Sequence, residues 1–268
     1  MQAIGLCRFS YPAIGGFQVH HDTLEERIDY LCAPDRLEER FRIFETLTLP
    51  CLRHQSDQDF DLIVVIGDSL PKRHRDRLHD LTIGMPQVQI VSRPPGRQRA
   101  TMQSILNAAR KDPSQPCLQF RYDDDDAVSI DFVERLRAAV EECDGLVRDN
   151  LTVAFDYNRG FVAELGPQGV SATDMYRRLY VASLGMYVAG NCKKTIMHYA
   201  HSKIDRVMPT VSYTDQPMWV RTHNGYNDSR QKPVKPVAVT PLTPEQEVEF
   251  SMRFAIDSDR VRQVFREA

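Results

Sequence analysis

The sequence predicts an α/β protein: a mostly parallel sheet with helices on both faces and an added antiparallel part. Three observations carry this. Strand-like and helix-like segments alternate through the first half of the chain. Leu62 to Ile66 is apolar at every position, as in a strand buried on both faces. Beyond residue 150 the pattern changes to strand-like pieces separated by turn residues. With 268 residues the chain is long enough for a single domain, 1–268, with a sizeable core. Within it we distinguish 1–150, 151–230 and 231–268.

The elements follow in order. Ala3 to Phe9 reads as a strand. Asp35 to Cys51 reads as a helix, because Leu37, Phe41, Phe44, Leu47 and Cys51 keep the three-to-four spacing of one face. Asp59 to Gly67 is the buried strand, and Pro71 opens a very basic helix over Lys72 to Leu81. Val88 to Ser92 is a third strand, closed by Pro94, Pro95 and Gly96. Arg99 to Arg110 is a helix, and Cys117 to Tyr122 a fourth strand. Ser129 is placed to cap a helix that buries Phe132, Val133, Leu136 and Val140. Val153 to Leu165 then reads as a hairpin turned at Asn158, Arg159 and Gly160, and Tyr180 to Val188 as a strand. Lys194 to Val207 reads as a helix, and Trp219 to His223 as a strand. Lys232 to Pro244, with four prolines, is an extended connector, followed by a helix over Glu245 to Arg266.

Composition excludes several classes. A net charge of −3 gives no pull toward nucleic acid. No apolar run is long enough to cross a bilayer. Cys7, Cys32, Cys51, Cys117, Cys143 and Cys192 form no C-x-x-C pair. Together with the lack of a signal-like start, they suggest a reduced, cytoplasmic protein. Lys72, Arg73, His74, Arg75 and Arg77 offer a face for anionic lipid or glycan, hence a peripheral contact with the inner membrane face; the plain alternative is a solvated helix.

The most informative feature is Asp123–Asp124–Asp125–Asp126, directly after the fourth strand. Adjacent carboxylates raise one another's pKa unless a cation neutralises them. The carboxyl end of a strand is where open α/β sheets bind ligands. A hard cation such as Mg²⁺ or Mn²⁺ accepts carboxylate and phosphate oxygens together. The plain alternative is a solvated turn at the next helix N-terminus. No G-x-G-x-x-G, G-K-[ST] or G-x-S-x-G pattern occurs, and no glycine follows the run as in an EF-hand loop.

Tyr122 to Asp126 resembles the D-x-D motif of glycosyltransferases with the GT-A fold, a Rossmann-like architecture. Gly96, Ala100 and Asn107 are similar to the helix before that motif, and Ile130 to Leu136 to the helix after it. More narrowly, the chain resembles the bacterial rhamnosyl transferase family. Arg8–Phe9–Ser10, Leu49–Pro50–Cys51–Leu52 with Gln55, the acidic run, and Trp219 with His223 and Asn227 carry this likeness, over about residues 1 to 230.

The resemblance implies a metal-dependent transfer of sugar from a UDP-, dTDP- or GDP-sugar to a glycan or other hydroxyl acceptor. Residues 1–150 would bind the nucleotide sugar, and 151–230 would serve the acceptor and complete the metal site. Asp123 would face the nucleotide and Asp125 hold Mn²⁺ or Mg²⁺, with Asp124 and Asp126 as alternatives in the same run. His223 would add a ligand. An inverting transfer needs a base; Asp215 is the first candidate, Asp205 the second and Asp156 the third. A retaining mechanism stays open.

Position adds nucleotide contacts. Arg8 ends the first strand, where its fork suits a diphosphate; a surface ion pair is the alternative. Asp68 follows the second strand and suits a base or a helix cap. Arg97, Arg99 and Asn107 flank or follow the proline loop. His20, His21, His54, His74 and His79 read as solvated, and His198 and His201 as one face of a helix without a third ligand. A phosphohydrolase or nucleotidyltransferase using the same run is the competing enzyme class, and a non-catalytic sugar- or metal-binding module the competing non-enzyme.

Overall fold

The computed structural model describes residues 1–15, 21–223 and 237–266. His20, Asn227 and residues 232–236 of the expected connector lie outside them. In chain order the elements are β1 (Gln2–Arg8), α1 (Leu24–Cys32), α2 (Pro34–Ile43), α3 (Leu49–Arg53), β2 (Asp61–Gly67), α4 (Lys72–Thr82), β3 (Val88–Arg93), α5 (Gln98–Ala108), β4 (Cys117–Asp123) and β5 (Asp126–Val128). They continue with α6 (Phe132–Glu142), α7 (Asp144–Asp149), β6 (Thr152–Tyr157), β7 (Arg159–Gly166), β8 (Gly169–Tyr176), β9 (Leu184–Val188), β10 (Thr210–Tyr213), β11 (Trp219–Thr222), β12 (Thr240–Pro241), α8 (Pro244–Phe254) and α9 (Ser258–Arg266).

Seven strands form the main sheet in the order β10-β6-β9-β4-β1-β2-β3. All neighbours are parallel except β9, which runs against both β4 and β6. Five strands form a second sheet, β12-β8-β7-β11-β5, antiparallel except for the β7–β11 pair. The mixed α/β, mostly parallel architecture is the one the alternation predicts. β2 shows why it is buried on both sides. Leu62, Val64 and Ile66 pack into one core with Phe41, Phe44 and Phe132, while Ile63 and Val65 pack into another with Met102, Ile105 and Leu106 of α5.

Several elements differ from the sequence reading. The helix expected over 35–51 is α2 and α3 joined by one wide π turn, Phe44–Thr48, in which the Leu49 N–H bonds the Phe44 carbonyl. Pro50 accounts for it: proline has no N–H, and its ring would crowd the carbonyl four residues back in a regular helix. The hairpin expected over 153–165 does not form. β6 and β7 lie in different sheets, and the hairpin is β7–β8, closed at Gly166 and Gly169. Gly169 has φ +100°, which favours glycine. Ser129 does not cap α6 with its hydroxyl; instead Gln55, after α3, accepts the Val133 N–H at 3.0 Å. The helix expected over 194–207 is two 3₁₀ segments, Ile196–His198 and His201–Arg206. The final helix is split into α8 and α9 by Ala255, at φ 54°.

Gly160 and His74 make the packing testable. Gly160 lies opposite Trp219 in the β7–β11 register. A Cβ there would sit 2.2 Å from the indole and 2.3 Å from the Trp219 carbonyl. We expect Gly160→Ala to lower stability by about 3 kcal/mol in urea denaturation, since neither neighbour can yield. His74 on α4 is buried and stacks on Phe41, ring centroids 5.6 Å apart. Burial, then Arg73, hold its pKa below the ordinary value, and Glu38 only partly opposes them. The unfolded chain therefore takes up a proton at higher pH than the folded one. Stability should fall as pH drops below about 6.5 and level off below the folded pKa. His74→Phe should flatten that part of a Tm-against-pH curve.

Candidate active site

The four aspartates carry the chain from one sheet to the other. Asp123 is the last residue of β4, and Asp126 is the first of β5, at the edge of the second sheet. Asp124 and Asp125 make the turn. Parallel register puts Arg8 of β1 beside Asp123, and antiparallel register puts Arg221 of β11 opposite Asp126. The backbone of the corner is pinned from both sides. The Thr48 hydroxyl, in the π turn, donates to the Asp124 carbonyl at 3.1 Å. Thr222 donates to the Asp125 carbonyl through its hydroxyl at 2.8 Å and its N–H at 3.2 Å.

Beneath the corner lies a buried arginine that the sequence reading did not identify. Arg40 of α2 is 1 % exposed. Its Nη1 lies 3.0 Å from Asp124 Oδ1 and 2.9 Å from Asp125 Oδ2. Arg36, one turn earlier, is also buried and donates to the Ser10 hydroxyl at 2.9 Å and the Leu31 carbonyl at 3.1 Å. It thereby holds the loop leaving β1, where Ser10 has φ 46°. The available signal was position. Arg36 and Arg40 fall on the stripe of Leu37, Phe41 and Phe44, where a cation needs a buried partner. Arg121, between Phe120 and Tyr122 in β4, gave the same signal.

The carboxylates converge. One oxygen each from Asp123, Asp125 and Asp126 lies within 4.8 Å of the others. Ligands about 2.0–2.6 Å from one ion can be this far apart. Asp126 is fully buried, and among the described residues neither of its carboxylate oxygens has a hydrogen-bond partner. Burial drives its pKa well up. Arg221 opposes this, while Asp125, Asp123 and Asp124 add to it. For Asp123 burial also pushes upward, but Arg121, Arg8, Arg221 and Arg40 outweigh it and its pKa is lowered. Arg221 is itself held firmly charged: burial works against the charge, and Asp126, Tyr180, Asp125 and Asp123 overcome it. Its guanidinium lies over the Tyr180 ring, 5.3 Å from the centroid. Tyr180 in turn meets Trp219 edge-on at 4.5 Å.

The other candidates are distributed as follows. His223 is exposed at the end of β11, its N–H on the Ala163 carbonyl, and its pKa is lowered by burial and Arg221 against Glu164 and Asp125. It is outside the carboxylate group that lies within 4.8 Å. Asp68 is exposed in the turn after β2, its N–H on the Arg93 carbonyl. Arg97 and Arg99 are exposed at the start of α5, and Arg99 acts electrostatically on Arg121. Asn107 is not brought there. It lies in the last turn of α5 and donates to the Lys193 carbonyl, beyond the end of β9 that pairs with the start of β4. Asp215 is exposed and paired with Arg135 of α6 at 2.9 Å, and Asp205 is paired with Arg178 at 3.3 Å. Asp156 is buried, accepting from the Leu179 N–H at 2.8 Å and the Ser212 hydroxyl at 3.0 Å. His198 caps its own short turn by accepting from the Thr195 N–H at 3.0 Å. In the basic helix, Lys72 pairs with Asp76, and Arg77 with Glu38 and Glu45.

The profile of a family described as "Putative rhamnosyl transferase" matches residues 2–236. No curated protein sequence matches the chain. Among solved structures, S. aureus TarS 1-349 is similar with a TM-score of 0.44 and 10 % identity, over 83 % of this chain and 60 % of that one. The complex of TarS 1-349 with UDP-GlcNAc gives 0.44 and 11 %, over 100 % and 71 %. HddC from Yersinia pseudotuberculosis gives 0.33 and 11 %, over 83 % and 90 %. The chain thus spans about three fifths of the first TarS structure.

Arg40 should be structurally decisive. Arg40→Met leaves Asp124 and Asp125 buried without their shared cation, and we expect a loss of roughly 3–5 kcal/mol in urea denaturation. Adding Asp124→Asn to that variant should recover part of the loss.

Proposed function

The chain belongs to this rhamnosyl transferase family, and from that premise we propose a metal-dependent glycosyltransferase that moves a sugar, rhamnose first among candidates, from a nucleoside-diphosphate sugar to a hydroxyl acceptor. A single observation supports it most: a fully buried Asp126 carboxylate, without a hydrogen bond among the described residues, converging with Asp123 and Asp125 where parallel strands end. A buried carboxylate is costly unless paired or bound to a cation. A set made only of oxygen ligands fits a hard divalent ion such as Mn²⁺ or Mg²⁺. Asp123, Asp125 and Asp126 would hold it, with His223, which lies outside that group, as the candidate for a further ligand. When bound, the ion would stabilise negative charge on the departing diphosphate.

The chain's own groups complete the reading. Arg8, Arg121 and Arg221 surround Asp123 from β1, β4 and β11 and suit the phosphate oxygens of the donor. Asp68, Arg97 and Arg99 border the same strand ends and suit the nucleoside side. The donor is a UDP-, dTDP- or GDP-sugar, and the acceptor a glycan or other alcohol. The reaction we take is inverting, with one base and no covalent intermediate.

Product analysis tests this. With Mn²⁺ and a panel of nucleotide sugars, the protein should release nucleoside diphosphate. Release of nucleoside monophosphate with sugar phosphate would instead identify a phosphohydrolase, and no nucleotide binding in titration calorimetry a non-catalytic module. Asp125→Asn should abolish turnover while circular dichroism and Tm stay close to wild type. Asp126→Asn should weaken Mn²⁺ binding at least tenfold in calorimetry. Full activity in the Asp125 variant would remove the metal assignment.

A further inference from the structure

Asp126 of β5 and Arg221 of β11 are direct partners in the antiparallel register. Such partners share one face of a sheet, with Cβ atoms about 4.5–5.5 Å apart. At that separation a guanidinium can reach the carboxylate and form a two-pronged ion pair. Yet neither Asp126 oxygen has a hydrogen-bond partner among the described residues. Something must hold the Arg221 guanidinium away from the carboxylate it faces.

Tyr180 stands where that hold is needed. It precedes the 3₁₀ turn Val181–Ser183, on the chain crossing from β8 of the second sheet to β9 of the main one. The Arg221 guanidinium lies over its ring, 5.3 Å from the centroid, within the range of a cation–π attraction. The exposed Arg177 also lies over this ring, 4.9 Å from its centroid. The ring is itself fixed. Trp219, two residues before Arg221 and so on the same face of β11, meets it edge-on with centroids 4.5 Å apart. Both aromatic side chains are buried. Leu179, just before Tyr180, has φ 56°, a conformation leucine adopts only under constraint. Its N–H donates to the buried Asp156 at 2.8 Å. Burial pushes the Tyr180 hydroxyl up to about 12 against the opposing Arg221, so the ring stays neutral.

We propose that Tyr180 is a positioning residue: its ring holds the Arg221 guanidinium off the Asp126 carboxylate and so keeps that carboxylate open to a divalent cation; this rests on the metal-dependent reading above. Arg221 is attracted by Asp126 first and by Asp125 and Asp123 as well, so the ring decides where among them the guanidinium rests. Without the ring, the nearest carboxylate across the register takes it, and the two charges satisfy each other. An arginine closed on Asp126 would occupy the oxygens that a cation needs.

The test reads binding and stability of the full chain. Tyr180→Met fills much of the ring's space but offers no π face. Its Kd for Mn²⁺ in titration calorimetry should rise at least tenfold, because the ion must then displace a charge-assisted pair. Tyr180→Phe keeps the face and should stay within about threefold of wild type. Metal-free protein gives a second readout. Asp126→Asn should lower Tm in the Tyr180→Met background, where Asp126 is paired with Arg221, and should not lower it in wild type. If Tyr180→Met does not fold, Arg221→Lys replaces it and should raise the Kd likewise, since an ammonium lacks the planar fork that stacks on a ring. A folded Tyr180→Met with a Kd within threefold of wild type overturns the proposal. So does Tyr180→Phe binding as weakly as Tyr180→Met, or an Asp126→Asn effect on Tm that is equal in both backgrounds. Wild-type protein that binds neither Mn²⁺ nor Mg²⁺ would remove the metal reading and the cation's part in the proposal with it, while the metal-free comparison would still decide whether Tyr180 restrains Arg221.

Discussion

Four adjacent carboxylates occupy the corner where β4 of the main sheet becomes β5 of the second, and three of them are buried. Charges taken out of water must be paired or neutralised, because desolvation costs several kcal/mol per ion. Arg8, Arg40, Arg121 and Arg221 answer this from β1, α2, β4 and β11. Every one of these elements is thereby drawn to one point. The second sheet is registered on the first through the same corner, since Arg221 and Thr222 of β11 meet Asp126 and the Asp125 carbonyl. What the arginines leave open is Asp126, faced across the β5–β11 register by Arg221 yet without a hydrogen bond among the described residues. The proposed metal site rests on that residual imbalance.

The region around the corner is stiffened by devices that look unrelated in the sequence. The π turn that Pro50 imposes brings Thr48 onto the Asp124 carbonyl. Gln55, a little further on, bonds the Ser129 carbonyl and the Val133 N–H and so anchors the start of α6. Arg36 holds the loop after β1. The stretch Leu49 to Gln55, which carried part of the family likeness, therefore supports the acidic turn without contributing a carboxylate or cation to it.

Legibility was uneven for physical reasons. Strands with continuous apolar runs, and the amphipathic helices around them, were readable because burial dictates their pattern over several residues. Pairing across sheets was not. Asn158 to Gly160 has the composition of a hairpin turn, yet β6 and β7 separate there, because Gly160 packs face to face with Trp219. Lys194 to Val207 has a composition compatible with a helix, but the chain forms two short 3₁₀ turns, and His198 and His201 serve different neighbours. The roles of Arg40 and Arg121 are not legible in the sequence, because an arginine reads as solvated until its partner is known.

The sequence by itself determined the α/β class, the buried strand β2, and an acidic run at the carboxyl end of the fourth strand. It did so because those features are local: periodicity, continuity of apolar residues, and charge density along a few positions. Tertiary structure alone decided which carboxylates converge, which arginines meet them, and that Asp215 and Asp205 are held in ion pairs. Those outcomes depend on register between strands far apart in the chain and on the competition of desolvation with pairing. Neither has a value until the partners are in place.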